Sequence, residues 1–381
     1  MAQHICVDGL FLSRRYFGTG AHGYTTNLLQ QMERLTAQGA SVDIHVLVPP
    51  THQIDCAGLI HRPGFALIPC RAMRYKDPWR LGLFLLAAKR LRPDVLFLPF
   101  PFPIACKLVR LAIMVHDVIP LLPQFRQPSL RSRLFRRSFS SSLNQADLIL
   151  TDSEHSKADM VSVCGIQPER IVVTHLGFDP DTYKATPLDD AERKSTLLRY
   201  GINRPYVLHV GNMEPRKNVV RLVKAYSALL ERRQHLALQL LLCGGQNWGC
   251  EELNRMLLEP TLQGRVILTG MVPNHDLSVL YRGAAGFAMP SLYEGFGLPI
   301  LEAMASGIPV MSSNRSSLPE VAGDAALYFD PESVEDMSVA MERLLADEAL
   351  RQELVGRGKE RVKQFSWEAC ARATLTALRS L

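Results

Sequence analysis

Pro290–Pro309 reads PSLYEGFGLPILEAMASGIP. A short apolar run, Gly286–Met289, precedes it, and another, Val310–Ser312, follows it. The pattern predicts strand, glycine turn, helix and strand again, the repeating unit of an α/β fold with parallel sheets. The helix is expected at Pro299–Ser306, with Pro299 at the first position, where its missing N–H costs nothing. Glu302 then falls in the first turn, and Glu294 lies on the other side of the glycine turn. The N–H groups of Phe296, Gly297 and Leu298 would point out of the helix N-terminus, an anion site by geometry and dipole. The segment thus offers donors for a phosphate and carboxylate acceptors for nearby hydroxyls, and a nucleotide-sugar needs both.

The same alternation runs along the whole chain. In the first half it predicts strands near His4–Asp8, Ser41–Val48, Asp94–Leu98, Leu111–Val115, Asp147–Leu150 and Ile171–Thr174. Helices are expected near Gly23–Ala37, Pro78–Leu91, Ser129–Asn144 and Ser153–Val163. His175–Pro187, HLGFDPDTYKATP, has the prolines and mixed polarity of a domain linker. The second half restarts with strands at Tyr206–Val210, Leu238–Cys243, Val266–Thr269, Gly286–Met289, Val310–Ser312 and Ala326–Phe329. Its helices are expected at Asn218–Arg233, Glu251–Leu258, Asp276–Arg282, Pro299–Ser306 and Val334–Ala346, with two more to the end. Two such domains facing each other would bury a cleft, and ligands of these sheets bind at the carboxyl ends of the strands.

Size and composition agree. A chain of 381 residues is too long for one ordinary core, and 47% hydrophobic with 21% charged residues is the balance of a soluble globular protein. No apolar run approaches the roughly 18 residues of a membrane span. Asp8 interrupts the N-terminal apolar stretch, and Arg14 and Arg15 follow it, so a secretory signal is not expected. The eight cysteines form no Cys-x-x-Cys pair, which points away from a zinc site and a disulfide framework and towards a reducing cytoplasm. The net charge of +6 is compatible with an anionic substrate or a membrane surface. Its densest source is Arg126–Arg137, where Arg131, Arg133, Arg136 and Arg137 interleave with Leu130, Leu134 and Phe135. At helical spacing this is either a solvated face or a basic amphipathic face for anionic lipid.

Other segments carry candidate chemistry. In YVLHVGNMEPRKN a strand ends at Val210, Gly211 and Asn212 turn, and Arg216 and Lys217 stand just before a helix. A cation pair is unfavourable at a helix start unless an anion is present, and Arg and Lys together suit a diphosphate. In LAIMVHDVIP, His116 and Asp117 follow a strand directly; His116 would hydrogen-bond either a sugar hydroxyl or its own loop. Gly18-Thr19-Gly20-Ala21-His22-Gly23 matches the dinucleotide pattern, but a long loop separates it from the first strand, and Asp43 falls inside the second strand. Gly20 and its neighbours are better read as a backbone loop that approaches a sugar or acceptor closely. Asp179-Pro-Asp181 has the spacing of a Mg²⁺ pair, yet Asp-Pro starts turns, and a turn is the expected reading. No nucleophile elbow and no Walker-type phosphate loop is present.

With these pieces together, the chain resembles the family-4 retaining glycosyltransferases of the GT-B fold, most of all the bacterial branch that builds O-antigen and exopolysaccharide. The resemblance rests on the Glu294/Glu302 pair, GNMEPRKN, SSLPEVAGDAALYFDP and FSWEACA. It implies two Rossmann-like α/β domains: an acceptor domain over 1–180, a nucleotide-sugar donor domain over 181–365, and a last helix, 366–381, crossing back to the first. It implies that Arg216 and Lys217 bind the donor diphosphate, that Glu302 accepts the ribose hydroxyls and that Glu294 serves the donor sugar. Backbone amides of Gly297 and Leu298 would touch phosphate or sugar, Val272 the base, and His116 the sugar from the other domain. No bound metal or other cofactor is expected. GDP-mannose is the favoured donor and UDP-glucose the second; the acceptor would be a saccharide or a polyprenyl-linked oligosaccharide at the inner membrane surface. Nucleic acid is not an expected partner. Two other classes remain open at this point, a nucleotide-sugar epimerase on the same architecture and a non-catalytic scaffold of a polysaccharide complex.

Overall fold

The computed structural model of the protein describes residues 2–16, 19–49, 59, 63–70, 88–101, 109–125 and 129–381. The expected helix Pro78–Leu91 lies largely outside the described residues, as do Gly18 and Arg126. The chain divides into two compact units, Met1–Gly177 with Ser366–Leu381, and Phe178–Phe365.

The first unit holds strands β1 (Gln3–Asp8), β2 (Val42–Val48), β3 (Phe65–Pro69), β4 (Val95–Leu98), β5 (Arg110–Met114), β6 (Leu148–Thr151) and β7 (Ile171–Val173). They form one parallel sheet in the order β3-β2-β1-β4-β5-β6-β7. Its helices are α1 (Gly20–Ala37), α2 (Leu130–Gln145) and α3 (Glu154–Cys164). The second unit holds α4 (Asp190–Arg199), β8 (Tyr206–Val210), α5 (Val219–Arg232), β9 (Gln239–Cys243), α6 (Glu251–Met256), β10 (Val266–Gly270) and α7 (Asn274–Gly283). It continues with β11 (Gly286–Met289), α8 (Leu298–Ala305), β12 (Val310–Ser313), α9 (Leu318–Ala322), β13 (Ala326–Phe329), α10 (Val334–Ala346) and α11 (Glu348–Arg361). Its sheet is parallel in the order β10-β9-β8-β11-β12-β13. The final helix, α12 (Trp367–Arg379), belongs to the first unit.

The central strands are apolar along their whole length because helices cover both faces of such sheets. VLFL of β4 and GFAM of β11 are buried throughout. In the second unit Leu222, Tyr226 and Leu229 of α5 join Leu240 and Leu242 of β9 and Met337, Met341 and Leu344 of α10 in one core. Tyr226 donates its hydroxyl to the Leu238 carbonyl (2.7 Å), so its polar tip is satisfied.

Each sheet reverses direction once, between β1 and β4 and between β8 and β11. Loops leaving two strands at such a switch point diverge and leave a crevice for a ligand. In the second unit those strands are followed by the segments 211–217 and 290–298, which carry the candidate chemistry.

Three local expectations need correction. The helix expected from Pro299 starts one residue earlier, with Leu298 first and Pro299 second after Gly297 at the cap. The helix expected from Gly23 starts at Gly20, which is in its first turn and not in a loop, because Thr19 caps the helix by accepting the His22 N–H (3.3 Å). Before that cap, the stretch after β1 is wound into two short 3-10 turns, Leu10–Leu12 and Arg14–Tyr16. No helix among the described residues is long and apolar enough to cross a membrane.

Candidate active site

β8 ends at Val210, and the chain turns at Gly211, whose N–H bonds the Cys243 carbonyl (2.8 Å). A Cβ on Gly244 would stand 2.2 Å from the Gly211 carbonyl oxygen, so the exits of β8 and β9 touch through bare backbone. Pro215–Lys217 then make one 3-10 turn, which is closed by Asn218 in the left-handed region (φ 59°). Asparagine tolerates this conformation better than other non-glycine residues. Its side chain donates to the Pro290 carbonyl (3.0 Å) and the Pro331 carbonyl (2.7 Å). The cation-bearing turn is thereby tied to the ends of β11 and β13.

Glu294 is where these segments converge. Its Oε1 lies 2.6 Å from Lys217 Nζ and accepts the Ser291 hydroxyl at 2.6 Å, while its Oε2 lies 2.8 Å from Arg216 Nη1. Arg216 also pairs through Nε with Glu214 (2.6 Å) and donates to the Tyr293 carbonyl (3.2 Å). Ser316 holds the Glu294 backbone from both sides, accepting its N–H (3.1 Å) and donating to its carbonyl (2.6 Å). Burial by itself would raise the Glu294 pKa, but Lys217, Arg216 and Ser291 outweigh it and hold the carboxyl at about 2. Glu294 is therefore a fixed anion, and both cations keep a partner in a desolvated turn.

Glu302 sits in a different environment one helix turn on. Tyr281 of α7 donates its hydroxyl to Glu302 Oε2 (2.8 Å), and Tyr183 is a second hydroxyl partner. The two tyrosine rings meet edge to face with centroids 5.5 Å apart. No arginine or lysine pairs with this carboxylate among the described residues. Burial is the dominant influence, and it raises the pKa to about 7 against the two tyrosine hydrogen bonds. Between the two glutamates, Gly297 has φ 116°, and a Cβ there would meet Leu318 Cδ2 at 2.8 Å, so glycine is required on both counts. Phe296 lies outside the helix, with its ring 5.8 Å from that of Phe365 and its carbonyl accepting from Ser317. Its ring and carbonyl serve the turn's packing.

In the first unit, His116 follows β5 and Asp152 follows β6, the neighbouring strand. His116 Nδ1 lies 2.7 Å from Asp152 Oδ2, and Asp152 is buried. The imidazole is walled by Tyr24 (centroids 4.7 Å) and Phe100 (4.9 Å), and the Ser156 hydroxyl fixes the His116 carbonyl (3.1 Å). Burial alone would push His116 towards the neutral form, but Asp152 keeps it protonated to higher pH than a free imidazole. Nε2 is buried and has no partner among the described residues, so it is the nitrogen left for a ligand.

The remaining candidates are less connected. Gly20 is exposed on the first turn of α1, with open space where a Cβ would be. Val272 is half-buried between β10 and α7, beside the exposed Met271. Asp179 forms the expected turn by accepting the Asp181 N–H (3.0 Å), the Thr182 N–H (3.3 Å) and the Thr182 hydroxyl (2.6 Å). His4, Asp43 and His45 are the one group among the described residues with the composition of a metal site. They lie at the amino ends of β1 and β2, away from the strand ends that carry His116. His4 Nε2 and His45 Nδ1 are 2.5 Å apart, closer than the roughly 3.3 Å between two ligands of a tetrahedral ion.

Residues 20–182 match the model for Glycosyltransferase Family 4, and residues 197–361 match that for Glycosyl transferases group 1. An O-antigen chain mannosyltransferase B from Escherichia coli is 39% identical over 277 residues, which are 72% of this chain and 71% of that protein. The chain belongs to the family-4 glycosyltransferases. A serotype-specific mannosyltransferase WbdA, also from Escherichia coli, is 33% identical over 257 residues, 66% of this chain but 31% of that protein. Sucrose-phosphate synthase from Thermosynechococcus elongatus shares the GT-B fold, with a TM-score of 0.73 over 99% of this chain and 98% of that one at 23% identity. In this family-4 glycosyltransferase, reading the sequence singled out Arg216, Lys217, Glu294 and Glu302 but passed over the residues that hold them. Asn218 had a signal, an asparagine directly before a helix; Asp152 had the same strand-end position as His116. Tyr183 lay in a stretch read as linker, and nothing in its spacing to Glu302 reveals that they touch.

Proposed function

We propose that this glycosyltransferase moves a hexose, mannose in the first instance, from a nucleoside-diphosphate sugar to a saccharide or polyprenyl-linked oligosaccharide during bacterial polysaccharide assembly. GDP-mannose is the favoured donor and UDP-glucose the second. The observation that carries the reading is the convergence of Arg216 and Lys217 on the fixed anion Glu294, beside the N-terminus of α8. Similarity to the O-antigen mannosyltransferase supports the choice of sugar and pathway.

In this reading Arg216 and Lys217 take the donor diphosphate, with the backbone of Gly297 and Leu298 as further donors and Gly211 allowing close approach. Glu302 accepts the ribose hydroxyls, and the Val272 backbone lies along the base. Glu294 binds donor-sugar hydroxyls and keeps the cations aimed. His116, steadied by Asp152, gives a hydrogen bond to the sugar through Nε2, and Gly20 leaves room for sugar or acceptor. Breaking the anomeric bond puts positive charge on the sugar and negative charge on the phosphate. Fixed cations and a helix N-terminus favour that separation. The acceptor attacks on the face the phosphate leaves, and the phosphate takes its proton, so configuration is retained. Protein cations supply the neutralising charge, and no metal is required; the protein works in the cytoplasm.

The test is product analysis with GDP-mannose or UDP-glucose and a lipid-linked saccharide extract, with EDTA present. A saccharide enlarged by one hexose, with the anomeric configuration of the donor, is the expected product. Conversion of the donor without acceptor would identify an epimerase instead.

A further inference from the structure

β8 carries a histidine, His209, that is wholly buried. Backbone pairing joins Gly286 to Val207 and Phe287 to Leu208. One step further along, at the switch point of the sheet, the His209 ring makes the link, with Nδ1 3.0 Å from the Ala288 carbonyl. A carbonyl only accepts, so Nδ1 carries the proton. Burial, helped by the charge of Lys217, lowers the His209 pKa to about 4 against the Ala288 hydrogen bond and Glu294, so the ring is neutral. Nε2 therefore holds a lone pair in a fixed direction.

That nitrogen is buried and has no partner among the described residues. A buried acceptor left unbonded is costly, and such a group calls for a function. Its surroundings belong to the donor side of the strand. A Cβ on Gly211 would stand 3.5 Å from His209 Nε2 and 3.5 Å from Lys217 Cε. The imidazole and the lysine chain thus flank the same point beside Gly211. The Lys217 ammonium lies 2.6 Å from Glu294 Oε1, and an ammonium has three N–H donors to place.

We infer that His209 is a positioning residue for Lys217: when a donor diphosphate draws the ammonium off Glu294, Nε2 accepts one of its N–H bonds and holds it beside Gly211. The inference rests on the reading of Lys217 as a diphosphate ligand. A neutral acceptor suits this task better than a carboxylate, because it fixes the ammonium without cancelling the charge that the phosphates need. It also leaves Glu294 to the hydroxyls of the donor sugar. A histidine that served only the contact with Ala288 would use Nδ1 alone, and a smaller amide would do the same without an orphaned nitrogen.

Two substitutions separate the two ring nitrogens. His209→Asn keeps a donor where Nδ1 stands and removes the acceptor; His209→Gln reaches the place of Nε2 and gives up the bond to Ala288. Calorimetric titration with GDP and with UDP, thermal melting and donor kinetics are run on both, on Lys217→Ala and on the pair His209→Asn/Lys217→Ala. His209→Asn is expected to melt nearer the parent than His209→Gln, yet to bind the diphosphate and the donor on the order of tenfold more weakly, the loss of one hydrogen bond to a charged group. His209→Gln should bind within about threefold of the parent despite its lower Tm. In the Lys217→Ala background, His209→Asn should have no further effect on binding, because the two residues act as one unit. Parent-like binding by His209→Asn, losses that add in the double variant, or binding that follows Tm across the series overturns the inference. If His209→Gln does not fold, the cycle of His209→Asn with Lys217→Ala decides alone. Unchanged diphosphate binding in Lys217→Ala would instead bring down the donor reading and the inference with it, whereas loss in Lys217→Ala beside parent-like His209→Asn removes only the role of His209.

Discussion

At the scale of single residues, the two glutamates of one short segment have opposite electrostatics, and each leads to an experiment. Glu294 is held near 2 by Lys217 and Arg216. Its pairing stabilises the fold fully above the ordinary carboxyl range and is lost as pH falls towards 2. Glu294→Gln is expected to remain folded with a lower Tm, because it leaves the buried Lys217 and the half-buried Arg216 short of charge. Transfer should fall about 100-fold or more, the worth of a fixed charge at a reacting centre, in a steady-state assay. Glu302 has the reverse shift, to about 7, through burial. Its effect on stability is therefore favourable below about 4.5 and is lost as pH rises through about 7. Ribose hydroxyls bind best to the ionised carboxylate, so donor KM should rise as pH drops below about 7, and Glu302→Gln should flatten that dependence. Tyr281→Phe removes a hydrogen bond to the charged form, which should move the midpoint upward and raise donor KM about tenfold with kcat little changed. In the first unit, Asp152→Asn should lower the pH at which His116 titrates, read by NMR, and cut kcat on the order of tenfold.

At the scale of elements, the arrangement depends on a few tied loop ends. Asn218 closes the turn after β8 and bonds the carbonyls after β11 and β13. Asn218→Ala breaks two buried hydrogen bonds and puts a less suitable residue at positive φ. It should cost about 2–4 kcal/mol in urea melts and weaken diphosphate binding, although it removes no charge. The alternation of apolar runs and amphipathic stretches was enough to locate most strands. Each central strand is buried on both faces and so reads as a continuous apolar run. Elements that lack such a signature were missed. β3 is an edge strand closed by Pro69, α9 is one turn long, and α4 is polar and largely exposed with Thr196 as its buried residue. The start of α8 was placed one residue late because proline fits the first two helical positions equally well. The candidate site was legible where charge broke a local rule, as with two cations before a helix or a carboxylate in a glycine turn. It was not legible where the partner came from a distant element, as Asp152, Ser316 and Tyr281 do.

For the whole molecule, the division into two units gives the donor reading a spatial consequence. A nucleoside diphosphate should slow amide exchange around 211–218 and 294–302, both within Phe178–Phe365, and leave the β1–β7 sheet unchanged. Arg216 and Lys217 are proposed to make a metal-free diphosphate site, and thermal shift with GDP, UDP, dTDP and ADP, each with and without EDTA, decides it. A ligand that binds only the folded state raises Tm. A selective shift with one diphosphate that survives EDTA and disappears in Arg216→Ala and Lys217→Ala is the expected result. No shift with any of the four, a shift that EDTA abolishes, or one that both variants retain would contradict it.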